Sequence, residues 1–583
     1  MFLSSLDLLV VAIYAIALFA IAQYVSREPK GTLKNTEDYF LAGKSLPWWA
    51  IGASLIAANI SAEQIIGMSG EGYRIGLAIA AYEWQAAIVL ILVAKYFLPI
   101  FLKREIYTMP QYLDQRFGTG VKTTMSVYWI ALYTLVNLTT VLWLGGLAIE
   151  TLTGWNILLS MACLGAFAIA YSIFGGLKAV ALTDIIQVVI LIAGGAFIAI
   201  LTLNMIGGGN FFHGFERLYT ELPDKFDMIF EKDQEGYSTL PGIWTLLGGL
   251  WILHLSYWGF NQYIIQRALG AKDLPEAQKG LVFAAVLKLI MPLIIVLPGI
   301  AAVMLATPEF GALDQVALDA KTDSTYPSLM GIMPQGIRGL IFAALIAAIV
   351  SSLASMVNSI STIFTMDIYK SMIITDANEQ HYVNVGRAAA AIAMVIAVIA
   401  AKPFLGGFDS AFQTVQEYSG FIAPGVVSVF LLGMFYKWSN SEGAFTVLIL
   451  SVLLSIVLKL YAPDLTFVNR IWVVFLLSTA AGIIVSHMSD LDQKKKMDTL
   501  WLSAMAILAT IYIFSDQEGF TKTLAAGFIA VVTGAILANF VIKDEGKLKL
   551  IKLNDVNFAT RTSFNIATIA IAIILIALYA VFW

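Results

Sequence analysis

The chain has 583 residues, 59% of them hydrophobic and 13% charged, with 35 basic side chains against 39 acidic ones. That charged share is about half of an ordinary soluble domain's, so the composition excludes a water-soluble fold and places the chain in lipid. The sequence holds neither a glycine-rich nucleotide-phosphate loop nor a His/Cys cluster, which argues against ATP-driven pumping and metalloenzyme chemistry; no nucleic-acid partner is expected.

Apolar stretches recur, each near the ~20 residues with which a helix crosses a bilayer. They predict sixteen spans, at about 5–25, 47–69, 76–103, 120–150, 155–174, 179–206, 242–269, 275–306, 334–366, 382–402, 409–436, 441–461, 467–487, 497–514, 522–541 and 562–583. The fold class is therefore an all-α polytopic membrane protein, with no room for a separate soluble domain. The first stretch has no basic residue before it and no small-residue cleavage site after it, so it reads as a retained span rather than a signal peptide. Cys163, the single cysteine, reads as a small packing residue in an apolar span.

Basic residues test the count. Alternate loops hold Arg27, Lys30, Lys34 and Lys44, then Lys103, Arg104, Arg116 and Lys122, and later Lys494 to Lys496 with Lys543 to Arg561. The opposite short loops offer only Arg74, Lys402, Lys459, Arg470 and Lys522. Cytoplasmic loops are the basic ones, so both termini are expected outside.

Within the spans, polar residues cluster at a few places. The second span carries Asn59, Ser61, Glu63 and Gln64 in one run, and the seventh carries His254, Ser256, Tyr257, Asn261 and Gln262. Interrupted helices five spans apart are the mark of an inverted-repeat transporter whose site lies at the midplane, although polar residues also join neighbouring helices. Ionisable groups at such depth cost roughly 2.5–3.5 kcal/mol on insertion scales and are functional candidates. Glu83 opens the third span, where a helix N-terminus also favours a carboxylate; Lys288 lies mid-span in the eighth, beyond the reach of either surface. Lys95, nearer its span's end, can snorkel to the interface. In the ninth span Ser351 and Ser352 pair two hydroxyls, which suit a small alkali cation or close helix packing.

Taken with Thr36 to Lys44, Ala57 to Gln64, Gly259 to Arg267 and Ser351 to Lys370, the chain resembles the sodium/solute symporter family, and its bacterial sugar-carrying members most closely. The resemblance implies a five-plus-five inverted-repeat (LeuT-like) core at 47–436, with repeat one at about 47–206 and repeat two at about 242–436. Residues 1–46 and 437–583 would flank it, the latter including an extra hairpin at about 497–541. It also implies a bacterial inner-membrane protein that carries sodium with a hexose and catalyses no reaction. Sodium would bind the carbonyls of Ala57, Ile60 and Ala348 and the hydroxyls of Ser351 and Ser352. The sugar would meet Asn59, Gln64, Glu83, Lys288 and Gln416, with Tyr257 as inner gate and Met68, Tyr133 and Phe412 as outer gate. Two positions depart from the galactose-carrying pattern: Ala86 replaces a sugar-contacting serine and His254 an asparagine. The solute is therefore open to a glucose-like hexose, a sugar acid, a polyol or an amino acid. A membrane sensor or enzyme is the competing class, but the ionisable groups form no set of nucleophile, base and orienter. Nothing in the sequence fixes an oligomeric state.

Overall fold

The computed structural model describes residues 3–25, 42–405, 411–488 and 555–583, without the side chains at 19, 22–25, 42 and 171–183. The expected hairpin at 497–541 lies outside the described residues. Every regular element among those described is helical, and the one β feature is a bridge between Leu46 and Ala271. Ten of these helices are long and apolar enough to cross a bilayer, or eleven when the bent pair Glu235–Leu247 and Gly249–Phe260 counts as one span. The predicted count of sixteen is thus matched only in part.

In a bilayer each backbone group needs a partner within the protein, which is why helices dominate. The same constraint accounts for one departure. The predicted spans 155–174 and 179–206 form one unbroken helix, Ile157–Ile206, of 50 residues. Gly175 and Gly176 do not break it, because a glycine costs a helix only about 1 kcal/mol and keeps its N–H. At ~1.5 Å per residue such a helix is about 75 Å long, more than twice the hydrocarbon thickness of a bilayer.

The molecule wears its apolar side chains outside. Ile16, Ile399 and Ile576 are 70%, 68% and 70% exposed, whereas Asn59, Glu83, Lys288, Ser351 and Ser352 are buried. Ordered by the chain, the elements that carry the buried polar residues are as follows. Helix α1 is Ser5–Val25 and α2 is Trp48–Asn59. Beyond Asn59 the backbone leaves the helix at Ile60 (ψ 75°), then resumes as a wide π-helical turn, Glu63–Gly67, and as α3, Met68–Ile75. Gly76 (φ 78°) ends α3, and a Cβ there would lie 2.1 Å from the carbonyl oxygen of Lys225, so only glycine fits. Helix α4, Ala81–Leu92, follows, and the long helix Ile157–Ile206 is α5.

The seventh predicted span is also broken. Ile243–Leu247 and α6 (Gly249–His254) belong to segments that meet at 80°, and Leu255–Phe260 forms a second π-helical stretch. At Asn261 the chain turns extended (ψ 126°), and its side chain caps α7, Gln262–Leu269, by accepting from the Tyr263 N–H at 3.2 Å. Helix α8, Leu274–Leu305, holds Pro292 and Pro298. Helix α9 is Ile337–Ile363, and its first turn is held by Asp7 of α1, whose Oδ1 accepts from the N–H groups of Gly336 and Gly339 at 2.7 and 3.0 Å while Oδ2 pairs with Arg338 at 2.6 Å. Helix α10 is Ala411–Phe435.

Two main-chain bonds lace the approach to α2 to the end of α7: Leu46 N–H donates to the Gly270 carbonyl at 3.1 Å, and Lys272 N–H to the Leu46 carbonyl at 3.2 Å.

Candidate functional site

The two breaks face one cavity. It is lined by Asn59, Glu63 and Gln64 from the first break, Tyr82 and Glu83 from the third predicted span, Trp129, Leu132 and Asn137 from the fourth, and Leu253 to Asn261 from the second break. Lys288 of α8 and Val415, Gln416, Ser419, Ile422 and Ala423 of α10 complete it. All seven side chains expected to meet a solute, Asn59, Gln64, Glu83, His254, Tyr257, Lys288 and Gln416, lie on this one wall.

Its electrostatic centre is Lys288, 1% exposed. The ammonium lies 2.6 Å from Glu83 Oε2, donates to Asn59 Oδ1, and sits 4.9 Å from the centroid of the Trp258 ring. Asn59 Nδ2 donates to the Tyr257 hydroxyl at 3.1 Å, and the Tyr263 hydroxyl donates to the same oxygen at 2.8 Å. With both bonds accepted, Tyr257 keeps its own proton for another partner.

Around this centre, seven buried polar atoms on lining residues have no hydrogen-bond partner among the described residues: Glu63 Oε1, Gln64 Oε1, the Tyr82 hydroxyl, Glu83 Oε1, Trp129 Nε1, Asn137 Oδ1 and His254 Nε2. Buried polar atoms in native proteins are almost always paired, and here the orphans all line one cavity.

The candidate cation residues lie beside the same break. Ala57 and Ile60 bracket the point where α2 stops, and the Ser352 hydroxyl of α9 donates to the carbonyl of Ala58 at 3.2 Å. Next to it, the Ser351 hydroxyl donates to Asp184 Oδ1 on α5. Ala348 lies one turn earlier on α9 and is buried. Behind Ser351, Asp184 also accepts from Ser54 at 2.6 Å and lies 3.5 Å from Arg267, which in turn donates to Ser54 and Ser355 at 2.6 Å each. That ion pair is wholly buried.

The outer-gate trio divides. Met68, Tyr133 and Phe412 are all buried and none lines the cavity. Phe412 packs edge-on against Tyr82, 5.3 Å between centroids. Tyr133 instead donates to Asn261 Oδ1 at 2.8 Å, accepts from the Gln262 N–H at 2.9 Å and packs 5.4 Å from the Tyr263 ring. It is seated on the second break, with the tyrosine pair that includes Tyr257, rather than beside Phe412.

Sequence reasoning passed over Tyr82, Trp129, Asn137 and Trp258 as cavity residues, and stopped at Gln64 although Glu63 is its neighbour. An ionisable residue in an interrupted span was the available signal for Glu63; a lone amide such as Asn137 in an apolar span carries none.

The model of the sodium:solute symporter family matches residues 39–451. The chain belongs to the sodium:solute symporter family. Among curated relatives, the sodium/glucose cotransporter of Vibrio parahaemolyticus is 46% identical over 589 aligned residues, covering 100% of this chain and 99% of that one. The sodium/myo-inositol cotransporter 2 of Sus scrofa is 32% identical over 488 residues, covering 77% and 69% of the two chains. A solved structure of a Na+-coupled sialic acid symporter in its outward-open state superposes with a TM-score of 0.73 at 22% identity, over 83% of this chain and 98% of that one. This last likeness establishes a shared symporter fold.

Proposed function

We propose that this member of the sodium:solute symporter family carries a monosaccharide into the cell together with sodium, by alternating access. The observation that carries the reading is the set of seven unpartnered atoms around one cavity. Four are acceptors, the Trp129 indole N–H is a donor, and the Tyr82 hydroxyl and the His254 nitrogen take either role, so the solute that satisfies them both donates and accepts, as the hydroxyls of a hexose do. Indole rings at Trp129 and Trp258 offer flat apolar faces to the C–H side of a sugar ring. The full-length likeness to a sodium/glucose cotransporter supports the same substrates.

In this reading Asn59, Gln64, Glu83, His254, Lys288 and Gln416 hold the sugar, and Tyr257 closes the cavity from the cytoplasm. Met68 and Phe412 close it from outside, and Tyr133 braces the second break. Sodium takes the carbonyls of Ala57, Ile60 and Ala348 and the hydroxyls of Ser351 and Ser352, all hard oxygen donors. The core is the five-plus-five inverted repeat at 47–436 in a bacterial inner membrane, with both termini outside; the interrupted helices at 59–62 and 261 support that arrangement. His254, on the cavity lining, gives the cavity its own selectivity. A likeness to a sodium/myo-inositol cotransporter favours a cyclitol as the second substrate class.

The test is uptake of labelled hexoses, myo-inositol, hexuronates and amino acids into proteoliposomes. Sodium-driven accumulation of at least one neutral hexose is expected. Sodium-independent uptake, or uptake restricted to amino acids, would overturn the reading.

A further inference from the structure

We infer that Glu63 is the counter-charge of the coupling ion, a role that rests on the sodium-coupled reading above. Among the described residues, the cavity and the polar cluster behind it contain three carboxylates, Glu63, Glu83 and Asp184, and two fixed cations, Lys288 and Arg267. Glu83 is paired with Lys288 and Asp184 with Arg267. Glu63 is 8% exposed, its Oε1 has no partner, and no side-chain cation reaches it. His254 in its neutral form adds no charge. Asp367, also buried, bonds Thr108 on the 364–373 turn and is no part of the cavity wall.

An ionised carboxylate buried without a partner is strongly disfavoured. One monovalent cation removes that penalty and brings the whole set to neutrality. Chain connectivity bounds its place: Glu63 opens the π-helical turn three residues after Ile60, across the break, so the two lie within about 11 Å of each other. The oxygens proposed to ligate sodium are all neutral, so attraction for the ion must come from a charge beyond the ligand shell. Glu63 supplies it, and the same carboxylate faces the sugar cavity. Sodium binding thereby changes the field the sugar meets, a direct route for coupling. A second sodium would leave the set with one uncompensated positive charge, so the same arrangement favours one ion per sugar.

The measurement is the sodium concentration for half-maximal hexose uptake in proteoliposomes, with the sugar KM at saturating sodium recorded beside it. Glu63→Gln, which keeps a polar acceptor on the cavity lining, is expected to raise the sodium requirement about tenfold or more, a larger change than in the sugar KM. Glu63→Asp, which keeps the charge, stays near wild type. Should the glutamine variant not insert, Glu63→Ser makes the same neutral comparison. An unchanged sodium requirement, or a raised sugar KM with sodium untouched, would overturn the assignment and leave symport intact. Sodium-independent uptake by the wild type would sink both.

Discussion

At the scale of single residues, Lys288 is the most exacting position. Its ammonium satisfies Glu83 and Asn59 at once, and removing it strands a carboxylate in a low-dielectric interior, which costs roughly 3–5 kcal/mol. Lys288→Ala is therefore expected to lower the midpoint of thermal unfolding in detergent by several degrees. Glu83→Gln added to it should recover most of that loss, because the stranded charge is gone; a purely additive double variant would show that the pair does not interact. Ser352 makes a different kind of prediction. Its hydroxyl bonds a carbonyl beside the first break, and replacement by a methyl group removes a hard ligand without disturbing the helix. Ser352→Ala should raise the sodium needed for half-maximal uptake by roughly tenfold or more, the worth of a bond to a charged group, while the unfolding midpoint stays put.

Elements outside the spans hold the fold around the site, and one is sensitive to pH. Asp323, on the short turn Thr322–Ser324, accepts from the N–H of Ala411 at 3.1 Å, the first described residue of the helix that carries Phe412 and Gln416. Burial pushes its carboxyl up to about 6, and Glu71 pushes the same way against the Ala411 bond and Lys321. The folded state thus holds this proton more tightly than the unfolded chain, so stability falls as pH rises from about 4 to about 6 and is level beyond. Asp323→Asn keeps an acceptor and removes the titration. It should stabilise the protein above pH 6 and make little difference near pH 4, read as unfolding midpoints across that range. The first and second breaks were legible in the sequence because polar runs in apolar spans have few other uses. The roles around them were less so. Tyr133 is positioned by what its hydroxyl bonds across 128 residues of chain, and no periodicity encodes that. The join of the predicted spans 155–174 and 179–206 was not legible, because hydropathy counts apolar residues, whereas a helix in lipid answers first to its backbone hydrogen bonds.

For the whole molecule the central quantity is the number of ions per solute. A membrane potential of 100 mV contributes about 2.3 kcal/mol per charge, and a tenfold sodium gradient adds about 1.4 kcal/mol. One ion therefore supports accumulation of roughly several hundredfold. A reversal potential that shifts as one sodium per sugar is expected in proteoliposomes, and a slope for two would overturn the charge balance of Glu63, Glu83 and Asp184 against Lys288, Arg267 and one ion.

The lacing of Leu46 to Gly270 and Lys272 has a mechanical consequence. It ties the near end of one broken helix to the far end of the other, and the Arg267–Ser54 and Tyr257–Asn59 bonds repeat the tie deeper down. Three rungs at different depths leave the pair no freedom to slide or pivot against each other. Helices α2 and α7 are therefore braced as one body, and the expected movement lies between that body and the helices around it.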